Sequence, residues 1–233
     1  MSAKIDTVAL QDGYSLYHHS FFFTRDGKWA VVQQGMNTDL RYARRYHWLG
    51  EKVDDFTNEP QNAICTSAQG QALNLVAAES APARSVISGM TRDARPGALL
   101  SELKQVTLSM PRREYVTAAD INMARIGKIL EAIGEESPTS FEGLLSLSGV
   151  GPKTMRALAL ISDVIYGAPA SLRDPATFSF AHGGKDGYPF PIDRALYDRN
   201  IEILAEAVRR ARLGDREKTD ALRRLGTARR PGR

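Results

Sequence analysis

The sequence is short of cysteine and of long apolar runs. Cys65 is the single cysteine among 233 residues, which excludes an internal disulfide framework and any zinc site built on several thiolates. No segment reaches the ~18 to 20 consecutive apolar residues that a membrane-spanning helix needs, and the first residues, MSAKIDTVALQDG, lack the apolar run of a signal peptide. We therefore expect a cytoplasmic protein without a membrane partner.

Positive charge is in modest excess and is unevenly placed. The formal net charge is +4. From Arg194 to the C-terminus, twelve Lys or Arg stand against six Asp or Glu, so the excess lies at the C-terminal end. A polyanion is the natural partner of such a patch, and a solvated helix face followed by a basic tail is the structural alternative.

Residues 1–97 predict a small antiparallel β-rich domain. Alternating segments on both sides of Asp26-Gly27 predict two strands joined by a two-residue type I′ turn. Taking these two residues as the loop places His19 opposite Gln34. Farther along, LRYARRYHWLGE predicts two helical turns, whereas NAICTSA, LNLVAAE and RSVIS predict short strands.

Residues 98–214 predict an all-α domain, with a basic tail at 215–233, so the expected fold class is α+β. Thr139 and Glu142 resemble a capping box in front of a short helix. A long apolar helix, KTMRALALISDVIYG, follows, and apolar residues at helical spacing predict a last amphipathic helix from about Arg194.

The segment LSGVGPKT at 147–154 is the most informative motif. Its two glycines permit a sharp turn between helices and leave backbone N–H groups bare, and Pro152 suits the first turn of the next helix. Amides at a helix N-terminus attract an anion, such as a DNA phosphate. A tight helix corner without a ligand is the alternative. The residues expected at the phosphate are Gly149, Val150, Gly151, Lys153, Thr154 and Arg156.

The region from about 120 to 200 resembles the helix-hairpin-helix DNA glycosylase superfamily of the endonuclease III kind. The likeness rests on GVGPK and on a Pro-x-Asp element that ends at Asp193. In bifunctional members these positions hold a Schiff-base lysine and a charge-stabilising aspartate, which the resemblance carries over to Lys153 and Asp193. A lysine contact to phosphate and an aspartate helix cap are the alternatives.

Three histidines and neighbouring arginines form a second candidate group. His18, His19 and His47 fall near Arg44 and Arg45, which we expect to bind nucleic acid. Such a group is suited to holding a phosphate, to acid–base catalysis, or to binding a divalent metal such as Mg²⁺ or Mn²⁺. A hydrogen-bonded sheet end with solvated arginines is the alternative.

A glycine-rich loop over 173–187 adds His182 and Lys185 as candidate nucleic-acid contacts. Glycine permits close approach of the backbone to a ligand, and the phenylalanines of TFSFAHGGKDG are suited to stacking on unpaired bases. Long loops within compact domains are usually functional or disordered.

Four long motifs resemble an uncharacterised prokaryotic family, domain of unknown function 763. They are YSLYHHSFFFTRDGKWAVVQQGMN, ARRYHWL, GVGPKTMRALALISDVIYG and DPATFSFAHGGKDGYPFPIDRALYD. The resemblance implies an N-terminal domain of nuclease type followed by a helix-hairpin-helix domain. Family members have a further N-terminal segment, and histidine near the positions of Gln61 and of Arg112 or Arg113.

Together these features predict a DNA-binding protein that acts in DNA processing or repair. The reaction would be that of a nuclease or of a DNA glycosylase and lyase, on double- or single-stranded DNA. A non-catalytic module that recruits a partner enzyme is the rival interpretation. RNA is a third candidate partner, because neither the hairpin nor the basic tail distinguishes the two sugars.

Overall fold

The structure is a computed structural model that describes residues 1–66, 68–93, 96–109, 122–177, 194–212 and 214–228. The chain forms two compact units, Met1–Ser179 and Phe180–Arg233. An N-terminal antiparallel β region precedes a helical region, which confirms the α+β class. The predicted domain limits at residues 97 and 214 rest on the change in sequence periodicity, whereas the two units are defined by contacts between residues. Those domain limits therefore stay predictions.

The first unit opens with helix α1 (Ser2–Lys4), which continues as a π-helical turn (Ile5–Ala9); we call Ser2–Ala9 the N-terminal segment. The strands are β1 (Leu10–Gln11), β2 (Ser15–Phe23), β3 (Trp29–Asn37), β4 (Tyr42–Leu49), β5 (Ala63–Thr66), β6 (Gln71–Asn74) and β7 (Ser171–Arg173). The helices are α2 (Ala81–Asp93), α3 (Pro96–Ser109), α4 (Met123–Glu136), α5 (Phe141–Ser146) and α6 (Pro152–Val164).

Two antiparallel sheets organise the β region. One has the strand order β2-β3-β4-β5, and the other has the order β1-β6-β7. The prediction that residues 98–214 are all α is wrong at β7, which pairs with β6 of the preceding β region. One hydrophobic core joins sheet residues such as Tyr46 to helical residues such as Leu158. Within the described ranges, no helix is long and apolar enough to cross a membrane.

The β2–β3 hairpin forms as predicted, but its loop has three residues instead of two. Phe23 pairs with Trp29, and the Thr24 N–H donates to the Lys28 carbonyl at 2.9 Å. Gly27 has φ of 83°, and its N–H donates to the Thr24 carbonyl at 3.1 Å. This is a type I turn closed by a left-handed glycine, so only one loop residue needs positive φ. The register therefore pairs His19 with Gln33 and not with Gln34.

Two other local predictions are wrong. The segment around Arg44 and Trp48 is strand β4 and not a helix, because alternate side chains enter the core with a period of two. The segment RSVIS lies within helix α2 and not in a strand. There Ala83, Ile87 and Met90 are buried, at the spacing of a helix face.

Helix caps hold the elements around LSGVGPKT. The side chain of Asn122 accepts from the Arg125 N–H at the start of α4. The Ser140 side chain accepts from the Gly143 N–H at the start of α5, so the cap is one residue beyond the predicted Thr139.

The second unit contains two described helices, α7 (Arg194–Arg210) and α8 (Asp215–Ala228). The start of α7 at Arg194 confirms the prediction. Helix α8 occupies most of the segment that was predicted to be a basic tail. Ile203 and Leu204 of α7 are exposed.

Candidate nucleic-acid interface

The turn between α5 and α6 has the backbone geometry that its glycines predict. Gly149 has φ of 83°, a left-handed conformation that glycine adopts without a steric cost. Val150 is 1% exposed and fixes the turn on the core. Gly151 is the N-cap of α6 and Pro152 begins the helix. The turn thus presents the first amides of a 13-residue helix, where the helix dipole favours an anion.

The N-terminal segment and β1 hold this turn from the other end of the chain. The Lys4 Nζ atom donates to the Val150 carbonyl at 2.7 Å. The Gln11 Nε2 atom donates to the Pro152 carbonyl at 3.0 Å and to the Val8 carbonyl at 2.9 Å. The carbonyls of Val150 and Pro152 therefore each accept from a side chain of the N-terminal region. Lys4 also adds a positive charge beside the turn.

A groove of about 440 Å³ lies against the start of α6. This volume is within the range of small-molecule sites, ~300 to 1,000 Å³. Gln11, Pro152 and Arg156 are among its lining residues, with Tyr14 and Gln71 also on its wall. Pro152 and Lys153 are exposed and Arg156 is half-buried. The groove thus reaches the first turn of α6 at Pro152 and Arg156.

Among the described residues that line the groove, the acidic one is Asp12, which shares the cation of Arg44 with Asp174. The Arg44 Nη1 atom lies 2.8 Å from Asp12 Oδ2, and the Tyr46 hydroxyl donates to the same oxygen at 2.7 Å. Burial raises the pKa of Asp12, while the charge of Arg44 opposes that rise. Positively charged side chains near the turn are those of Lys4, Lys153 and Arg156.

Arg44 itself is buried and does not form part of this surface. Its Nη2 atom lies 2.7 Å from Asp174 Oδ2, and its side chain is 1% exposed. Its guanidinium also lies 4.4 Å from the centre of the Tyr14 ring. The expectation that Arg44 binds nucleic acid is therefore corrected, because its two carboxylate partners leave no access for a phosphate. Its neighbour Arg45 is exposed.

A second buried polar network surrounds Asp6, which is 0% exposed. Trp48 Nε1 donates to its carboxylate at 2.8 Å and Gln61 Nε2 does so at 2.6 Å. Gln33 Nε2 is a third donor, while Gln33 Oε1 lies 2.9 Å from His19 Nδ1. Burial raises the pKa of Asp6 to about 7, and the hydrogen bonds from Gln61, Trp48 and Gln33 limit the rise.

The predicted histidine group is divided between the two faces of the sheet. His19 is paired with Gln33 and shares the face of buried Tyr46, whereas His18 and His47 lie on the opposite face, as strand alternation requires. His18 Nε2 lies 2.9 Å from Ser20 Oγ. Burial, and secondly Arg45, lower the pKa of His47. Within the described ranges no three His, Cys, Asp or Glu residues could hold a metal ion together.

The remaining candidates have different surroundings. Thr154 is 2% exposed, so its side chain packs in the core instead of facing a ligand. Gly149, Gly151, Lys153 and Arg156 lie around the turn as predicted. Three further candidates lie outside the described residues: His182, Lys185 and Asp193.

A family model described as "Protein of unknown function (DUF763)" matches residues 1–192. The chain belongs to the DUF763 family. The match includes both sheets and the α5–α6 turn, and it confirms the family resemblance of the sequence motifs. The likeness to helix-hairpin-helix glycosylases stays a prediction. Comparison with curated proteins and with solved structures gives no match.

In this DUF763 protein, sequence reasoning missed the carboxylates of both buried networks. Asp6 and Asp12 lie six positions apart in an otherwise uncharged and mainly apolar segment, IDTVALQDGY. A charged residue in such a segment is a signal of a buried and paired group, since burial of a lone charge is costly. Gln61, where the family resemblance implies histidine, is one of the donors to Asp6.

Proposed function

We propose that the protein binds DNA by its phosphate backbone, through the turn between α5 and α6. The observation that carries the proposal is the exposed start of α6, where Pro152 and Arg156 line a groove. Backbone N–H groups and the helix dipole act together on an anion at this position. Such contacts do not read base edges, so we expect binding with little sequence preference.

Local charge supports the same proposal. Lys4, Lys153 and Arg156 lie around the turn, and Asp12, the carboxylate among the described lining residues of the groove, is paired with Arg44. A polyanion gains from several such cations at once, and it releases counterions when it binds. The proposed contacts are the backbone N–H groups of Val150 and Lys153 and the side chains of Lys153 and Arg156, since Pro152 has no N–H to donate.

The surroundings of Lys153 favour phosphate contact over Schiff-base chemistry. A lysine nucleophile is typically desolvated in a buried pocket, which supplies free amine near neutral pH. Lys153 is exposed at the first turn of α6. We therefore propose that this residue holds the backbone, and that any reaction on DNA uses groups elsewhere in the chain.

Fluorescence anisotropy with labelled duplex and single-stranded DNA would test the proposal. An added Cβ at Gly151 meets only the Gly149 carbonyl, at 4.0 Å, so Gly151→Glu should fold and repel the backbone. We expect a loss of affinity of at least tenfold, and a wild-type affinity that falls steeply with salt.

Gly89→Glu is the matched control, because a Cβ at Gly89 meets nothing within 4 Å and α2 is not part of the turn. Equal affinities of the two variants, or binding that does not depend on salt, would refute the proposal. A parallel titration with duplex RNA would show whether the sugar matters.

A further inference from the structure

The hydrogen bonds around Gln33 define which of its amide atoms faces which neighbour. Trp48 Nε1 donates to Asp6 Oδ2 at 2.8 Å, and an indole N–H has no acceptor capacity. Asp6 Oδ2 therefore accepts from Trp48, and in the ionised carboxylate it can only accept. Gln33 also approaches this oxygen, and the orientation of its amide is thus fixed when Asp6 is ionised. Reversal of the Gln33 amide would place its oxygen against that acceptor. The Gln33 N–H₂ group must face Asp6, so Oε1 faces His19.

This orientation determines the tautomer of His19. Gln33 Oε1 can only accept, and it lies 2.9 Å from His19 Nδ1. Nδ1 must then carry the proton, which leaves the lone pair of a neutral ring on Nε2. The ring is exposed, and no group among the described residues hydrogen-bonds Nε2. The ring thus has one atom fixed by the protein and a proton acceptor open to solvent.

The same short segment connects this imidazole with the proposed DNA-binding turn. Lys4 contacts the turn at Val150, and Asp6, two residues later, begins the chain of contacts to His19. His18, although adjacent in sequence, has its Nε2 beside Ser20 on the other face of the sheet. Of these two neighbouring histidines, only His19 belongs to the buried network.

We propose that His19 is the general base of a phosphodiester hydrolysis, and that Asp6 and Gln33 are positioning residues that act through it. This inference rests on the proposed binding of DNA, which supplies the substrate class. Nε2 accepts a proton from water while the water oxygen bonds to phosphorus. The bond from phosphorus to the leaving oxygen breaks, and that oxygen takes a proton from solvent.

Nitrogen-15 NMR of the histidine rings, at a pH where they are neutral, tests the positioning directly in the wild-type protein. We expect His19 to show a protonated Nδ1 and an unprotonated Nε2. Gln33→Met should release the ring to a mixture of tautomers, while Gln34→Met, on the opposite face of the same strand, should leave it unchanged. A wild-type ring protonated on Nε2 would overturn the positioning role.

Hydrolysis of labelled DNA, with and without Mg²⁺, tests the catalytic role. His19→Gln should lower kcat by 10²- to 10⁴-fold, the usual contribution of a general base, with DNA affinity retained. Gln33→Met should lower kcat by roughly 10- to 100-fold without raising KM, and Gln34→Met should match the wild type. DNA binding by the wild type without hydrolysis, or full turnover by His19→Gln, would overturn the catalytic role. A wild-type protein that does not bind DNA would instead refute the proposed function.

Discussion

The α5–α6 turn and the buried networks of the N-terminal sheet represent two ways of building a polar site. The turn is formed by neighbouring residues, and the groups that we propose as phosphate contacts include its main-chain N–H groups. The networks combine distant residues, such as Asp12, Arg44 and Asp174, which are almost fully buried. A local site depends on backbone conformation, whereas a distributed one depends on strand register and on the partners that reach its buried charges.

Arg44 and Arg45 show the same contrast between neighbouring residues. Arg44 lies on the core face of β4, between two carboxylates, whereas Arg45 is exposed on the other face. Strand alternation alone separates them. Two adjacent arginines thus have opposite surroundings, one buried and one exposed. Variants of this pair give the strongest test of the contrast between the buried networks and the exposed surface.

The largest effect is expected from Arg44→Ala. It would leave Asp12 and Asp174 buried without their cation, and removal of one partner from such a group costs about 3 to 5 kcal/mol. Urea unfolding at neutral pH would measure the loss. Arg45→Ala is the control and should stay within about 0.5 kcal/mol of the wild type; equal losses would contradict the assignment of faces.

The next effect concerns the pH dependence of stability. Burial raises the pKa of Asp6 from 3.8 to about 7, so between these values the folded protein holds a proton that the unfolded chain releases. The free energy of unfolding therefore falls as the pH rises from about 4 to about 7, by at most about 4 kcal/mol, and Asp6 adds no further change above that window.

Asp6→Asn should lack this contribution, so its stability relative to the wild type should increase from pH 4 to pH 7. Urea unfolding at several pH values would measure it. Exposed Asp54 gives the matched control, Asp54→Asn, whose profile should run parallel to the wild type. A parallel profile for Asp6→Asn would contradict the burial of an ionisable Asp6.

A smaller effect is expected at the turn. Gly149→Ala would place a side chain at φ of 83°, which costs about 1 to 2 kcal/mol. The added Cβ would meet Ile129 at an ordinary 3.7 Å, so conformational strain should be the main cost. Gly151→Ala, at φ of −134°, should cost less. Thermal unfolding would compare the two, and equal losses would argue against a left-handed Gly149.

The smallest effect is expected at the start of α5. Ser140→Ala removes the cap of the Gly143 N–H and should cost about 1 kcal/mol. Thr139→Ala should cost less, because its neighbour is the observed cap. The same thermal measurement separates the two, and a larger loss for Thr139→Ala would restore the predicted cap position.

Sequence reasoning succeeded where the signal was local. Three local predictions agree with the structure: the glycine turn before α6, the start of α7 at Arg194 and the pairing of β2 with β3. It failed at β4, because the residues of RYARRYHW are compatible with a helix and with a strand of alternating burial. Only the packing of the sheet against the core distinguishes the two. The hairpin register was wrong by one residue, since Asp26-Gly27 is compatible with two loop lengths.

The sequence by itself determined the glycine-based turn and its cationic neighbours, because backbone conformation and helix starts depend on adjacent residues. Only the tertiary structure decided that Arg44 is a core residue, that Asp6 lies behind His19, and that Lys4 meets the turn at Val150. These contacts join residues up to 146 positions apart. They follow from strand register and burial, which no short stretch of sequence specifies.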